Sequence, residues 1–308
     1  MQSPYRHGRL DAGIGPEASL ANRILLGPLT LGIEVTVPLL ARECGLGNLD
    51  PQHRPDGGAV AAIEAAQDWP LPPAGSCLVT IRADADAYGA MAVLGLRAVG
   101  LLIKAEQCAR IAHIGRADRF DFGAWPGPRP LPHHADDVDE LDTDTAGFGA
   151  LAAGLSDPIL SAETGVAATI AWIAHGTIPA LWQDRAARAR RDLFEALRWG
   201  HIRVRSALVG RIAVVEGFAP GALRLGYRLA PVVIAVTEPQ GGERLPVQRK
   251  MTIAQWCSGH ADLTRVAALL NTQEAGWGGS PCIIGSPQGR PSYCTIADAL
   301  AALRTCGA

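Results

Sequence analysis

The sequence predicts an α/β protein of two lobes: a mainly parallel sheet flanked by helices, and a smaller mixed-sheet C-terminal lobe. Three observations predict it. First, 48% of the 308 residues are hydrophobic but only 5% are aromatic. A core of Ala, Leu, Val and Ile suits helices packed on a parallel or mixed sheet. Second, residues 76–81 read as a buried strand, 82–86 as an acidic loop and 87–103 as a long helix. Strand, loop and helix make half of a βαβ unit. Third, a helical stretch over 147–199 separates this unit from alternating segments at 202–216 and 223–236. These read as strands around the turn at 217–221. The expected organisation is an N-terminal α/β lobe over 1–147, a helical connection over 148–200 and a C-terminal substrate-binding lobe over 201–308.

The remaining elements follow in order. Residues 32–38 alternate β-branched and other residues and read as a strand, and 39–44 as a short helix ended by Gly45. A turn spans 47–53. The Ala-rich run 59–67 predicts a helix that Pro70, Pro72 and Pro73 stop. Residues 109–114 read as a short strand. From 126 to 145 the chain is rich in Pro, His and Asp, the composition of a loop, linker or lid. The helical region beyond it carries breaks near Gly154, Pro158 and Pro179. Residues 261–270 and 296–303 read as helices, with the Gly-rich run 276–280 and the apolar triplet Cys282-Ile283-Ile284 between them. No internal repeat is visible.

Composition excludes several classes. With 28 basic and 30 acidic residues the net charge is -2, so no global basic field collects nucleic acid. The most apolar stretch, 88–103, carries Arg97, and nothing reaches the ~18 charge-free apolar residues of a membrane span. The N-terminus has no apolar signal core. Seven cysteines without a Cys-x-x-Cys pair argue against a disulfide framework and a structural zinc knuckle. The expected compartment is reducing and cytoplasmic. A homo-oligomer is compatible with all of this.

Several constellations offer chemistry. Asp84 and Asp86 follow a strand at its carboxyl end, where open α/β sheets collect ligands. Paired carboxylates suit Mg²⁺ or Mn²⁺, and the same pair also suits the positive end of a helix. Asp50 and His53, fixed in a turn by Pro51, could share a metal or form a plain Asp–Pro turn with a solvent-facing His. Asp118 and Asp121, with His113 upstream, could complete a shell or pair with Arg116 and Arg119. His133 and His134 beside Asp136 and Asp137 read as a solvated loop or a lid. Gly278, Gly279 and Ser280, with Ser286 and Arg290 further on, could cradle an anion through backbone N–H groups and cationic donors, or serve as a structural loop. Cys282 has no local base and reads first as a small buried hydrophobe. Lys250, His260 and the basic run around Arg185 to Arg191 read as surface.

Two of these motifs resemble one family. Thr80-Ile81-Arg82-Ala83-Asp84-Ala85-Asp86-Ala87-Tyr88-Gly89-Ala90 resembles the first motif of the DHH phosphoesterases, a His and three variable residues before Asp-x-Asp-Ala-x-Gly-Ser. Trp277-Gly278-Gly279-Ser280-Pro281-Cys282-Ile283-Ile284-Gly285 is similar to the Gly-Gly-Gly-His-Pro-x-Ala-Ala-Gly signature of that family's C-terminal domain. The order and separation match, from about residue 75 onward. Thr80 and Ser280 stand where the family has histidines, and the Asp-His-His triplet is absent. The resemblance implies Asp84 and Asp86 as catalytic metal ligands for Mn²⁺ or Mg²⁺, and Gly278, Gly279 and Ser280 as substrate contacts. It implies a hydrolase acting on a small anionic phosphate ester in an interlobe cleft. Asp50, His53, Asp118 and Asp121 are added from spacing. Loss of both histidines points instead to a non-catalytic small-anion binding or regulatory protein on the same scaffold. A hydrolase of non-phosphate bonds, using Cys282 or a differently composed metal site, is the third expectation.

Overall fold

The computed structural model describes residues 3–12, 16–50, 60–67, 69–101, 104–119, 122–141, 147–157, 159–217, 219, 221–237, 249–287 and 290–307. The chain forms two compact units. One comprises Met1–Asp118 and Asp144–Ala186, the other Arg119–Thr143 and Ala187–Ala308.

In the first unit β1 (Arg6–Arg9), α1 (Pro16–Leu25), β2 (Thr30–Ile33), α2 (Pro38–Arg42) and β3 (Asn48–Leu49) precede α3 (Ala61–Gln67), β4 (Cys77–Thr80) and α4 (Ala85–Ala98). Then come α5 (Ala105–Asp118), α6 (Phe148–Leu155), α7 (Ala162–His175) and the start of α8 (Ala180–Arg198). The four strands pair in the order β1-β4-β2-β3, all parallel. Parallel strands need covered faces, and β2 and β4 are buried along their whole length. α4 is buried at every residue from Asp86 to Leu96, the signature of a helix inside a core. It lies against α3, α5 and α7. The contact with α7 depends on Gly165, where a Cβ would stand 2.5 Å from the Tyr88 ring. A second tie joins β1 to α7: the Glu163 carboxylate accepts the His7 backbone N–H and meets His7 Nδ1, each at 2.8 Å.

The second unit holds a 3-10 helix (Ala135–Leu141), the end of α8, β5 (Ile202–Ala207), β6 (Ile212–Gly217), α9 (Ala222–Gly226), β7 (Val232–Thr237) and β8 (Lys250–Gln255). α10 (Leu263–Asn271), β9 (Gly278–Ser280), β10 (Ile283–Gly285) and α11 (Ile296–Thr305) follow. The sheet order is β5-β6-β7-β8-β10-β9, with β6 and β7 parallel and the other neighbours antiparallel. Both faces are covered. Ile212, Val214 and Ile234 face α10 and α11, while Ala213, Val215 and Val233 pack on Leu225, Tyr227 and Trp256. The alternation follows from the period of two along a strand. Segment 122–138 is pinned to this unit by Arg228, which donates to Pro130 O at 2.8 Å and Asp137 O at 3.0 Å.

The α/β class with a parallel four-stranded sheet and a separate mixed sheet is the one the sequence predicts. Particular elements differ. Residues 109–114 lie inside α5, not in a strand. Residues 109–114, with Arg110 and His113 among Ala and Ile, are too few to separate strand from helix by periodicity, and the neighbouring Ala, Glu and Gln are helix formers. Residues 222–226 form α9, where a strand was expected from 223. β1 and α1 carry too few periodic residues to announce themselves. Among the described residues no single helix is long and apolar enough to cross a membrane.

Candidate functional site

The acidic residues gather at the carboxyl edge of the parallel sheet. β4 ends at Thr80, whose hydroxyl accepts the Arg82 N–H at 3.1 Å and turns the chain. Asp84 then caps α4, its Oδ1 accepting the Ala87 N–H at 2.9 Å. One residue into α4, Asp86 is 1% exposed. Its Oδ2 accepts the Ala61 N–H and its Oδ1 the Ala62 N–H, both at 2.8 Å, so it serves as a remote cap for α3. β2 reaches the same edge and is followed by Glu34, 3% exposed, with a left-handed φ of 52°. For a side chain other than glycine that conformation costs about 1 kcal/mol. It follows the pairing of the Glu34 N–H with Leu49 O at 2.9 Å.

These carboxyl groups act on one another. Burial raises Glu34 to a pKa of about 9, and Asp86, Asp84 and Asp118 push it the same way against the pull of Arg82. Burial, then Asp118, raises Asp86 to about 7, opposed by the two α3 amides. The structure therefore brings Asp84, Asp86 and Asp118 into one electrostatic group and adds Glu34. Sequence reasoning missed Glu34. Its signal was a lone carboxylate inside the apolar alternation of residues 32–38. Tyr88 belongs to the same neighbourhood: its hydroxyl is buried without a hydrogen-bond partner among the described residues, and Arg9 and Asp84 act on it. Asp50 follows the edge strand β3. His53 and Asp121 lie outside the described residues.

An all-oxygen, anionic donor set is the chemistry of Mg²⁺ and Mn²⁺ sites. The arrangement departs from one. Among the described residues no three Asp, Glu, His or Cys groups converge to hold a metal ion, and both Asp86 oxygens are engaged by amides.

The Gly-rich candidates belong to the second unit. Gly278, Gly279 and Ser280 form β9, paired antiparallel with β10. Gly279, at φ 148°, is required there, since a Cβ would fall 2.1 Å from Ile283 O. The Ser280 hydroxyl accepts the Cys282 and Ile283 amides at 3.3 Å and closes the turn. Ser286 is buried; its hydroxyl accepts the Met251 N–H at 3.0 Å. The Arg290 guanidinium donates to Ala275 O. Each of these groups takes part in building the hairpin or its flanking loop. His133 and His134 both donate their backbone N–H to Asp137 Oδ2 at 2.9 Å, a capping arrangement for the 3-10 helix.

Comparison with known proteins adds little. No family model matches the chain, and no curated protein matches it. A solved structure, the pGpG-specific phosphodiesterase PggH from Vibrio cholerae, is 12% identical, covering 98% of this chain and 96% of that chain with a TM-score of 0.46. At that identity and score the likeness assigns neither a family nor an activity.

Proposed function

We propose that this chain is a phosphoester hydrolase of DHH-like design, acting on a small anionic phosphate ester at the carboxyl edge of its parallel sheet. One observation carries the reading. The Asp-x-Asp motif stands at the strand end where open α/β sheets bind ligands, and Asp84, Asp86, Asp118 and Glu34 share one field there. Arg9, the last residue of β1, and Arg82, beyond β4, are both exposed and supply the positive charge that an anionic substrate needs beside these acids. Glu34 retains its proton near neutral pH and is a proton donor for a leaving group. Asp84 keeps one oxygen beyond its capping bond and is the carboxylate free to orient a nucleophile. Dependence on Mn²⁺ or Mg²⁺ is part of the proposal, although the described acids do not complete a metal shell on their own.

A second reading is a small-anion binding or regulatory protein without turnover. It is favoured by the engagement of both Asp86 oxygens and by Thr80 at the resembled histidine position. The deciding experiment offers the full chain bis(p-nitrophenyl) phosphate and p-nitrophenyl phosphate with Mn²⁺, with Mg²⁺ and with chelator. Turnover that chelation abolishes supports the hydrolase with its metal. Thermal stabilisation by phosphate esters without turnover supports the second reading.

A further inference from the structure

The second unit carries an arrangement independent of the acidic edge. After β8, the Gln255 side chain organises a tight turn. Its Oε1 accepts the His260 and Ala261 amides at 3.0 and 2.9 Å, and its Nε2 donates to Ala261 O at 3.1 Å and to Pro281 O at 2.6 Å. Gly259, at φ 104°, permits the reversal. The turn brings Cys257 Sγ and His260 Nε2 to 3.5 Å. Both side chains are part-exposed. Burial lowers the His260 pKa and so favours the neutral imidazole, the form that can take a proton.

The surroundings hold unspent donors. Tyr227 and Trp256 are 1% and 6% exposed, and their rings meet edge to face at 5.4 Å. Among the described residues neither the Tyr227 hydroxyl nor the Trp256 Nε1–H has a hydrogen-bond partner. The phenol lies in the field of both Cys257 and Cys282. A buried donor left unpaired costs about 1–3 kcal/mol, so each of the two calls for an acceptor.

We propose that Cys257 and His260 form a reactive-thiol site for peroxides, and that Tyr227 and Trp256 receive the oxygen placed on sulfur. The balance is simple. Cys257 gives its proton to His260 Nε2, and the thiolate attacks one peroxide oxygen. The S–O bond forms as the O–O bond breaks, and the hydroxide released takes the proton back from the imidazolium as water. Sulfur is oxidised by two electrons to the sulfenic acid and the peroxide is reduced. The sulfenic oxygen then accepts from the phenol O–H and indole N–H. Cys108 is also exposed and is the internal reference.

The test treats the full chain with hydrogen peroxide, traps sulfenic acid with dimedone and locates the adduct by peptide mass spectrometry. The proposal expects Cys257 to label at least about tenfold faster than Cys108, and His260→Gln to remove most of that advantage. Tyr227→Phe, which keeps the buried ring, shortens the lifetime of the Cys257 sulfenic acid. Equal labelling of Cys257 and Cys108 overturns the proposal. So does an unchanged rate in His260→Gln with the native circular dichroism spectrum.

Discussion

Asp86 and Arg97 hold opposite ends of the same helix. From α4, the Asp86 carboxylate takes the Ala61 and Ala62 amides at the start of α3, while the Arg97 guanidinium donates to Ala65 O at 2.6 Å and Trp69 O at 2.9 Å. The signs match the helix dipole at each end. α3 has only seven residues, too few to persist without such help. Asp86→Ala leaves two buried amides unpaired and is expected to cost about 3 kcal/mol, against about 1 kcal/mol for Asp84→Ala at an ordinary cap. Urea denaturation measures both. An Asp86→Ala cost below about 0.5 kcal/mol would show that α3 does not depend on this carboxylate.

Glu34 carries a pH dependence of definite sign. Its folded pKa, about 9, lies above its unfolded value, so the folded state holds a proton that the unfolded state has lost. This group therefore favours folding at low pH, and its contribution is lost as pH rises from the unfolded pKa through about 9. Glu34→Gln removes that loss. The variant should gain stability relative to wild type as pH rises from 5 to 9, and parallel stability profiles would contradict the assignment.

The His7–Glu163 tie behaves in the opposite sense. Burial alone would raise Glu163, but the His7 side-chain and backbone hydrogen bonds outweigh it and hold its pKa below the usual value. Its stabilisation is present above the unfolded pKa and disappears as pH falls through the folded one. The carboxylate side chain is 59% exposed, so Glu163→Gln should cost no more than about 1 kcal/mol at neutral pH. Thermal unfolding at pH 7 and pH 3 should show that difference shrinking.

Adjacent glycines in β9 should respond differently. A Cβ at Gly278 meets open space, whereas one at Gly279 strikes the Ile283 carbonyl. Gly278→Ala is expected to stay within about 1 kcal/mol of wild type and Gly279→Ala to lose more than about 2 kcal/mol. Equal effects would mean that the hairpin relaxes freely.

The parts of the fold legible in the sequence share a cause. β4 and α4 could be read because a β-branched run meets an acidic cap and a continuous apolar helix, all local signals. Residues 109–114 misled because six residues mixing Ala and Ile with Arg110 and His113 have no preference of their own, and the helix extends into polar neighbours on both sides. At the site, Asp84 and Asp86 stood out as a pair, but Glu34 is 50 positions before Asp84 and joins it only through the pairing of β2 with β4. Composition offered Ser286 and Arg290 as anion donors but does not reveal that each also bonds a backbone group.

Phosphoester hydrolysis at the acid-lined sheet edge is the activity proposed for this chain. Asp84→Asn tests it most directly, because Asn keeps the Ala87 capping bond and removes only the charge. The measurement is the rate of p-nitrophenolate release from bis(p-nitrophenyl) phosphate with Mn²⁺, for wild type and Asp84→Asn at matched stability. Measurable wild-type turnover is expected, with a fall of about a hundredfold or more in the variant. Equal rates, or no turnover in the wild type, would contradict it.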